Sequence, residues 1–128
     1  MSEIPRELHY TESHEWVRIE NDDTVVIGIT DYAQHQLGDV VFVELPDNNT
    51  GYEKGDELAV IESVKTAADA YSPISGEVIA VNTQLEARPE LINQDPYGEG
   101  WICRIKPENM DELDALLNAE AYTTATAE

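Results

Sequence analysis

Three lysines, Lys54, Lys65 and Lys106, stand among 27 acidic residues, and Lys65 is placed unlike the other two. The strand-like run Val60-Ile61-Glu62-Ser63-Val64 ends directly on it, and the small residues Thr66-Ala67-Ala68 follow. That spacing puts one primary amine at the tip of a β-turn, clear of other cations. An amine so placed is exposed on a rigid base and open to a functional role. The same pattern describes an ordinary solvated turn lysine, and spacing alone leaves both readings open.

Other reactive side chains form no comparable constellation. Cys103 is the single cysteine, so no intrachain disulfide can form. It lies in the alternating run Trp101-Ile102-Cys103-Arg104-Ile105 and reads as a small core residue. His9 and His14 are too isolated for a zinc site. Asp22-Asp23 lacks the alternating acids of a calcium loop. There is no Ser/His/Asp spacing, no CxxC and no phosphate-loop glycine pattern, which argues against an enzyme. Trp16 and Trp101 read as core.

The elements that must position Lys65 are short strands. Residues 15–20 (EWVRIE) and 24–30 (TVVIGIT) read as a hairpin across Asn21-Asp22-Asp23. Gly28 inside the second run points to a close approach or a bulge. Asp31 is expected to cap a short helix to Leu37 that Gly38 ends. Further strands are expected at 40–45, 57–64, 68–71, 77–82 and 101–105. Gly-containing turns at Lys54-Gly55-Asp56 and Ser75-Gly76-Glu77 flank two hairpin halves that meet at residues 64–67. Residues 88–100 read as mostly irregular. Pro107 is expected to start a helix with Met110, Leu113, Leu116 and Leu117 on one face, and the tail from Thr123 is expected to fray. About seven short strands give a mainly β fold, a small sandwich or flattened barrel.

The chain has 128 residues, the size of one domain. Its 27 acids and 7 bases leave a charge of −20, spread as −12 over residues 1–64 and −8 over 65–128. That argues against nucleic-acid binding and against docking to an anionic membrane, both of which need a basic face. It suits solubility and encounter with basic patches on partner proteins. No run of 18 apolar residues suggests a membrane span. The start Met1-Ser2-Glu3-Ile4-Pro5-Arg6 lacks a signal peptide's basic and apolar regions, so a cytoplasmic protein is expected, while a mature mitochondrial form also fits.

Glu62-Ser63-Val64-Lys65, followed by Asp69, Tyr71, Ser72-Pro73 and Gly76-Glu77-Val78, resembles the lipoylation site of the glycine cleavage system H proteins. The likeness runs through His14-Glu15-Trp16-Val17, Gly28-Ile29-Thr30, Ala33-Gln34, Leu37-Gly38 and Val41-Phe42-Val43-Glu44-Leu45-Pro46. It continues through Val81-Asn82, Pro89-Glu90-Leu91, Asn93, Pro96-Tyr97, Gly100-Trp101, Ile105-Lys106-Pro107 and Ala119-Glu120-Ala121-Tyr122. It implies a flattened β-barrel or sandwich of the biotinyl/lipoyl-carrier (hammerhead) type with short helices and a C-terminal helix. Residues 1–128 would form a single domain, with a lipoyl-binding core at about 24–106, the helix at about 107–118 and a frayed tail at about 123–128.

The resemblance further implies a swinging-arm carrier rather than an enzyme, with lipoate as an amide on Lys65 and Glu62, Ser63, Val64 and Thr66 as flanking recognition residues. Its partners would be a glycine decarboxylase (P protein), an aminomethyltransferase (T protein), a dihydrolipoyl dehydrogenase (L protein) and a lipoyl-attaching enzyme. The chain is expected to be a monomer. Ser13, Glu15, Ile29 and Asp69 map to a cleft that shelters the loaded arm from water; carboxylates suit a protonated amine. Thr66 and Ala67-Ala68 depart from the family's usual Ala-Ser after the lysine, and His35 is given no role. Two other carriers remain as alternatives: an H-like lipoyl relay protein, and a biotin carrier, whose lysine is flanked by methionines where this chain has Val64 and Thr66.

Overall fold

The computed structural model describes residues 4–126. In chain order the elements are β1 (His9–Tyr10), β2 (Glu15–Ile19), β3 (Val25–Ile29), α1 (Asp31–Leu37), β4 (Val40–Glu44), β5 (Gly51–Tyr52), β6 (Glu57–Ser63), β7 (Ala67–Tyr71) and β8 (Gly76–Val81). There follow α2 (Gln84–Ala87), α3 (Leu91–Gln94), β9 (Cys103–Pro107), a 3-10 helix (Met110–Ala115) and α4 (Ala119–Thr126). A six-stranded antiparallel sheet has the order β1-β2-β3-β9-β8-β5, and a three-stranded sheet the order β4-β6-β7. The mainly β sandwich expected from the sequence is therefore the observed fold, as two separate sheets that do not close into a barrel.

Strand β3 shows why the hydrophobic runs are continuous. All five residues, Val25 to Ile29, are buried, because both faces of the large sheet are covered. Successive side chains point to opposite faces. Val25, Ile27 and Ile29 join Val17, Val43, Ile61, Val78 and Ile105 in a main core that takes residues from both sheets. Val26 points the other way, into a second cluster with Leu8, Tyr10, Trp16, Ala119 and Tyr122. Helix α4 closes that outer face, where Tyr122 stacks on Tyr10 at 4.6 Å. Gly28 is the expected close approach. It pairs with Trp16, and a β-carbon there would lie 2.6 Å from the indole.

Three local expectations are corrected. Thr30, not Asp31, caps α1: its hydroxyl accepts from the Ala33 N–H at 3.2 Å, while Asp31 opens the helix and accepts from Gln34 Nε2 at 2.7 Å. The segment 88–100 is mostly irregular as expected, apart from the short helix α3, which buries Leu91 and Ile92. The helix expected at about 107–118 is displaced. Pro107 ends β9 opposite Gly76, and the Glu108 N–H continues the pairing onto the Ser75 carbonyl at 2.9 Å. Only a 3-10 helix follows, ended by extended backbone at Leu116. Leu113 enters the main core, Met110 is exposed and Leu117 bridges to Tyr10 instead. Helix α4 starts at Ala119 and runs on through residues 123–126 of the tail expected to fray, because Asn118 caps it and Tyr122 is fully buried. The rest of that tail, residues 127–128, lies outside the described residues.

Gly28→Ala forces a methyl into the Trp16 ring, and over-packing of this kind costs about 1–3 kcal/mol. Thermal unfolding of that variant is expected at a lower midpoint; an unchanged Tm would contradict the packing described.

Candidate functional site

Lys65 occupies the turn between β6 and β7, whose ladder runs out to the pair Glu62 and Ala67. Ser63 staples this turn. Its N–H donates to the Thr66 carbonyl at 2.7 Å. Its hydroxyl accepts from the N–H groups of Lys65 and Thr66 at 3.3 and 3.2 Å and lies 3.2 Å from the Thr66 carbonyl. The Val64 N–H donates to the Asp39 carbonyl at 3.0 Å and so ties the tip to the end of α1. Two backbone connections thus fix the base of the lysine while its side chain is exposed and makes no ion pair among the described residues.

Gly38 lies under the stem of that lysine. Its φ of +81° and ψ of −158° belong to a region essentially reserved for glycine. A β-carbon there would come within 3.4 Å of Lys65 Cε. Around the tip the surface is mixed. Glu62 and Asp39 are exposed. A bulge between Val40 and Phe42 turns Val41 and Phe42 outward together, 53% and 49% exposed, and Val64 is 69% exposed.

Beside the hairpin runs an open cleft of about 390 Å³. Its walls bring together Ser13 from the loop before β2, Glu15 from the start of β2, Ile29 from the end of β3 and Asp69 from β7, the four residues mapped by resemblance. Thr66, Ala67 and Ala68 carry the wall from Asp69 up to the lysine turn. Four further lining residues, Tyr32, Ala33, Gln36 and Leu37, were missed. They form one face of α1 by their i, i+4 spacing, the pattern that identifies them. His14 and Ile61 also line the cleft.

Glu15 is 1% exposed. Its Oε1 accepts from the hydroxyls of Thr11 and Ser13, both at 2.6 Å, and its Oε2 accepts from the Tyr71 N–H at 3.3 Å. These donors compensate the burial of a carboxylate. Asp69 by contrast is exposed. The cleft therefore has an apolar floor of Ile29, Leu37 and Ile61 and a polar end with two carboxylates of different accessibility. Cys103 takes no part: it is buried in the main core and burial pushes its thiol pKa far up. Among the described residues no group of His, Cys, Asp and Glu could hold a metal ion, and no helix is long and apolar enough to cross a membrane.

A family model for the glycine cleavage H-protein matches residues 8–128. The chain belongs to this family. It is 58% identical over 122 residues to the glycine cleavage system H protein of Psychrobacter sp. (strain PRwf-1), covering 95% of this chain and 97% of the relative. It is 56% identical over 124 residues to that of Coxiella burnetii (strain Dugway 5J108-111), covering 97% and 95%. The crystal structure of a glycine cleavage system H protein from Mycobacterium marinum superposes with a TM-score of 0.90 at 36% identity, covering 98% of this chain and all of that one.

Gly38→Ala is expected to lower stability by about 1–3 kcal/mol through its backbone conformation alone. Gly51→Ala is the control, since a β-carbon there meets nothing within 4 Å. Urea midpoints separate the two; equal midpoints would remove Gly38 from the account.

Proposed function

We propose that this chain is the lipoylated shuttle of a glycine cleavage system, with Lys65 as the attachment residue. The observation that carries the reading is an exposed lysine on a doubly tethered turn beside a cleft with an apolar floor and acidic end, in a chain of the H-protein family. The lipoyl group, when bound, supplies a dithiolane that receives the aminomethyl group of glycine and carries electrons to a dehydrogenase. The residues present fit it. Gly38 leaves room under the Lys65 stem, and Thr66, Ala67 and Ala68 crowd neither the amine nor an approaching ligase.

The chain's own part is positional. Ser63 and the Val64–Asp39 hydrogen bond keep the root still, so motion is confined to the arm. Ile29, Leu37 and Ile61 offer an apolar bed that excludes water. Glu15 and Asp69 place negative charge where a protonated amine would end. Val41, Phe42 and Val64 give a modifying or partner enzyme an apolar shoulder, with Glu62 at its edge. On this reading the chain works as a single carrier domain that is substrate rather than catalyst. Its partners are the glycine decarboxylase, the aminomethyltransferase, the dihydrolipoyl dehydrogenase and the enzyme that attaches lipoate. The cytoplasm fits this role.

The test is glycine-dependent carbon dioxide release by a purified glycine decarboxylase supplied with the lipoylated protein. The native protein is expected to support turnover and Lys65→Arg to abolish it. Turnover with the arginine variant would overturn the assignment, and failure of the lipoylated native protein would favour a relay role in lipoate metabolism.

The acidic end of the cleft has its own test. Asp69→Asn and Glu15→Ala are expected to lose the cargo from loaded protein faster, read by intact mass over time. The Asn variant, at an exposed position, guards against a folding defect in the Ala variant. Loss at the native rate in both would remove the two carboxylates from the cleft's function.

A further inference from the structure

His14 enters the cleft through a strained backbone. Its φ is +73°, in the left-handed region that costs a residue with a β-carbon about 1–2 kcal/mol. Two backbone hydrogen bonds hold it there: its N–H donates to the Thr11 carbonyl at 3.1 Å, and its carbonyl accepts from the Thr30 N–H at 3.0 Å. Glu15 is buried beside it, while the His14 ring lies against Tyr32 and Tyr122, with centroids at 4.7 and 5.7 Å. Strain that turns one polar ring toward a cleft is an observation that asks for a function.

The hydrogen bonds around the ring have a direction. The Thr30 hydroxyl accepts from the Ala33 N–H as the cap of α1. It lies 2.7 Å from Tyr122 Oη, which lies 2.8 Å from His14 Nδ1. Thr30 is fully buried, and among the described residues its hydroxyl meets no acceptor but Tyr122, so the arrangement that leaves no buried hydroxyl hydrogen unpaired sends the Thr30 hydrogen to Tyr122 and the Tyr122 hydrogen to Nδ1. Every hydroxyl then donates once and accepts once. A neutral imidazole accepting at Nδ1 carries its proton on Nε2. Nε2 has no hydrogen-bond partner among the described residues, and the ring lines the cleft.

We propose that His14 is a binding residue of the arm cleft, presenting an Nε2–H donor to a neutral acceptor on the folded arm, and that Tyr122 is its positioning residue on α4. The inference rests on the reading of this cleft as the shelter of the arm. The acceptors it suits are an amide carbonyl or an uncharged amine nitrogen, while Glu15 and Asp69 suit the ammonium form. The cleft can then hold an amine in either protonation state. Tyr122 never touches the arm and acts through the ring nitrogen it occupies.

The groups that face His14 are Ser13 and Glu15 beside it, Tyr32 from α1, Tyr122 from α4 and Asp69 across the cleft. Desolvation lowers the His14 pKa from its ordinary 6.5, opposed in part by the charge of Glu15. Burial pushes the Tyr122 hydroxyl up to about 12, so it keeps its proton at neutral pH. Burial thus favours the neutral ring over the charged one and keeps the phenol protonated. Charging turns Nδ1 into a donor, breaks the bond from Tyr122 and brings a cation to the ammonium's place.

The test combines nuclear magnetic resonance with cargo retention. Long-range proton–nitrogen spectra of the unlipoylated chain are expected to show His14 as the Nε2–H tautomer, titrating below 6.5. Tyr122→Phe keeps the ring for stacking but removes the donor to Nδ1, so its His14 should titrate at higher pH. His14→Asn tolerates the left-handed backbone and removes the ring. In loaded protein at pH 7 it should lose cargo about fivefold faster, the equivalent of one hydrogen bond of about 1 kcal/mol. An Nδ1–H tautomer, or native retention in His14→Asn together with an unmoved titration in Tyr122→Phe, would overturn the inference. If native protein lost its cargo as fast as a free lipoamide adduct, the sheltering cleft itself would fall, and with it this role.

Discussion

A carboxylate inside the protein constrains everything around it. Glu15 is 1% exposed and would cost several kcal/mol if buried without donors. The loop before it supplies the Thr11 and Ser13 hydroxyls, and β7 supplies the Tyr71 N–H. That set of bonds joins the end of the large sheet to the hairpin of the small one. To bring both hydroxyls onto one oxygen the chain turns tightly between β1 and β2, and the left-handed residue of that turn is His14. The polar wall of the cleft and the link between the sheets are thus one arrangement.

The lysine turn answers a different demand. A carrier needs a mobile arm on an immobile root. Stiffness comes from Ser63 closing the turn and from Val64 bonding Asp39, while freedom comes from Gly38, which places no side chain against the lysine stem. Helix α1 serves both regions. Its first turn is capped by Thr30, which also meets Tyr122; its cleft face carries Tyr32 and Leu37; its end supports the turn. Helix α4, on the outer face of the large sheet, reaches the same network through Tyr122, so the C-terminal element bears on the cleft without lining it.

Much of this was legible in the residues. The β-branched runs at 25–29 and 40–44 announce strands because a half or fully buried pleat selects such side chains. Gly28 announces its close approach to Trp16. The lysine turn is legible because a strong strand stops on it. The C-terminal half was less so. Pro107 is tolerated both at a helix start and at a strand end, and only the long-range pairing with Gly76 decides between them. Thr30 and Asp31 are both competent caps and adjacent in the sequence. The cleft could be mapped only through family resemblance, since it assembles side chains from two sheets and a helix. His14 drew no role because its orientation depends on a positive φ and on Tyr122, 108 positions away.

The chemical state of one amine decides whether this chain carries lipoate. Intact mass followed by peptide mapping of the protein purified from its native host measures it directly. A single lipoyl adduct on Lys65 is expected, absent from a Lys65→Arg variant. An unmodified Lys65 in cells whose other lipoyl proteins are fully modified, or a biotin adduct in its place, would contradict it.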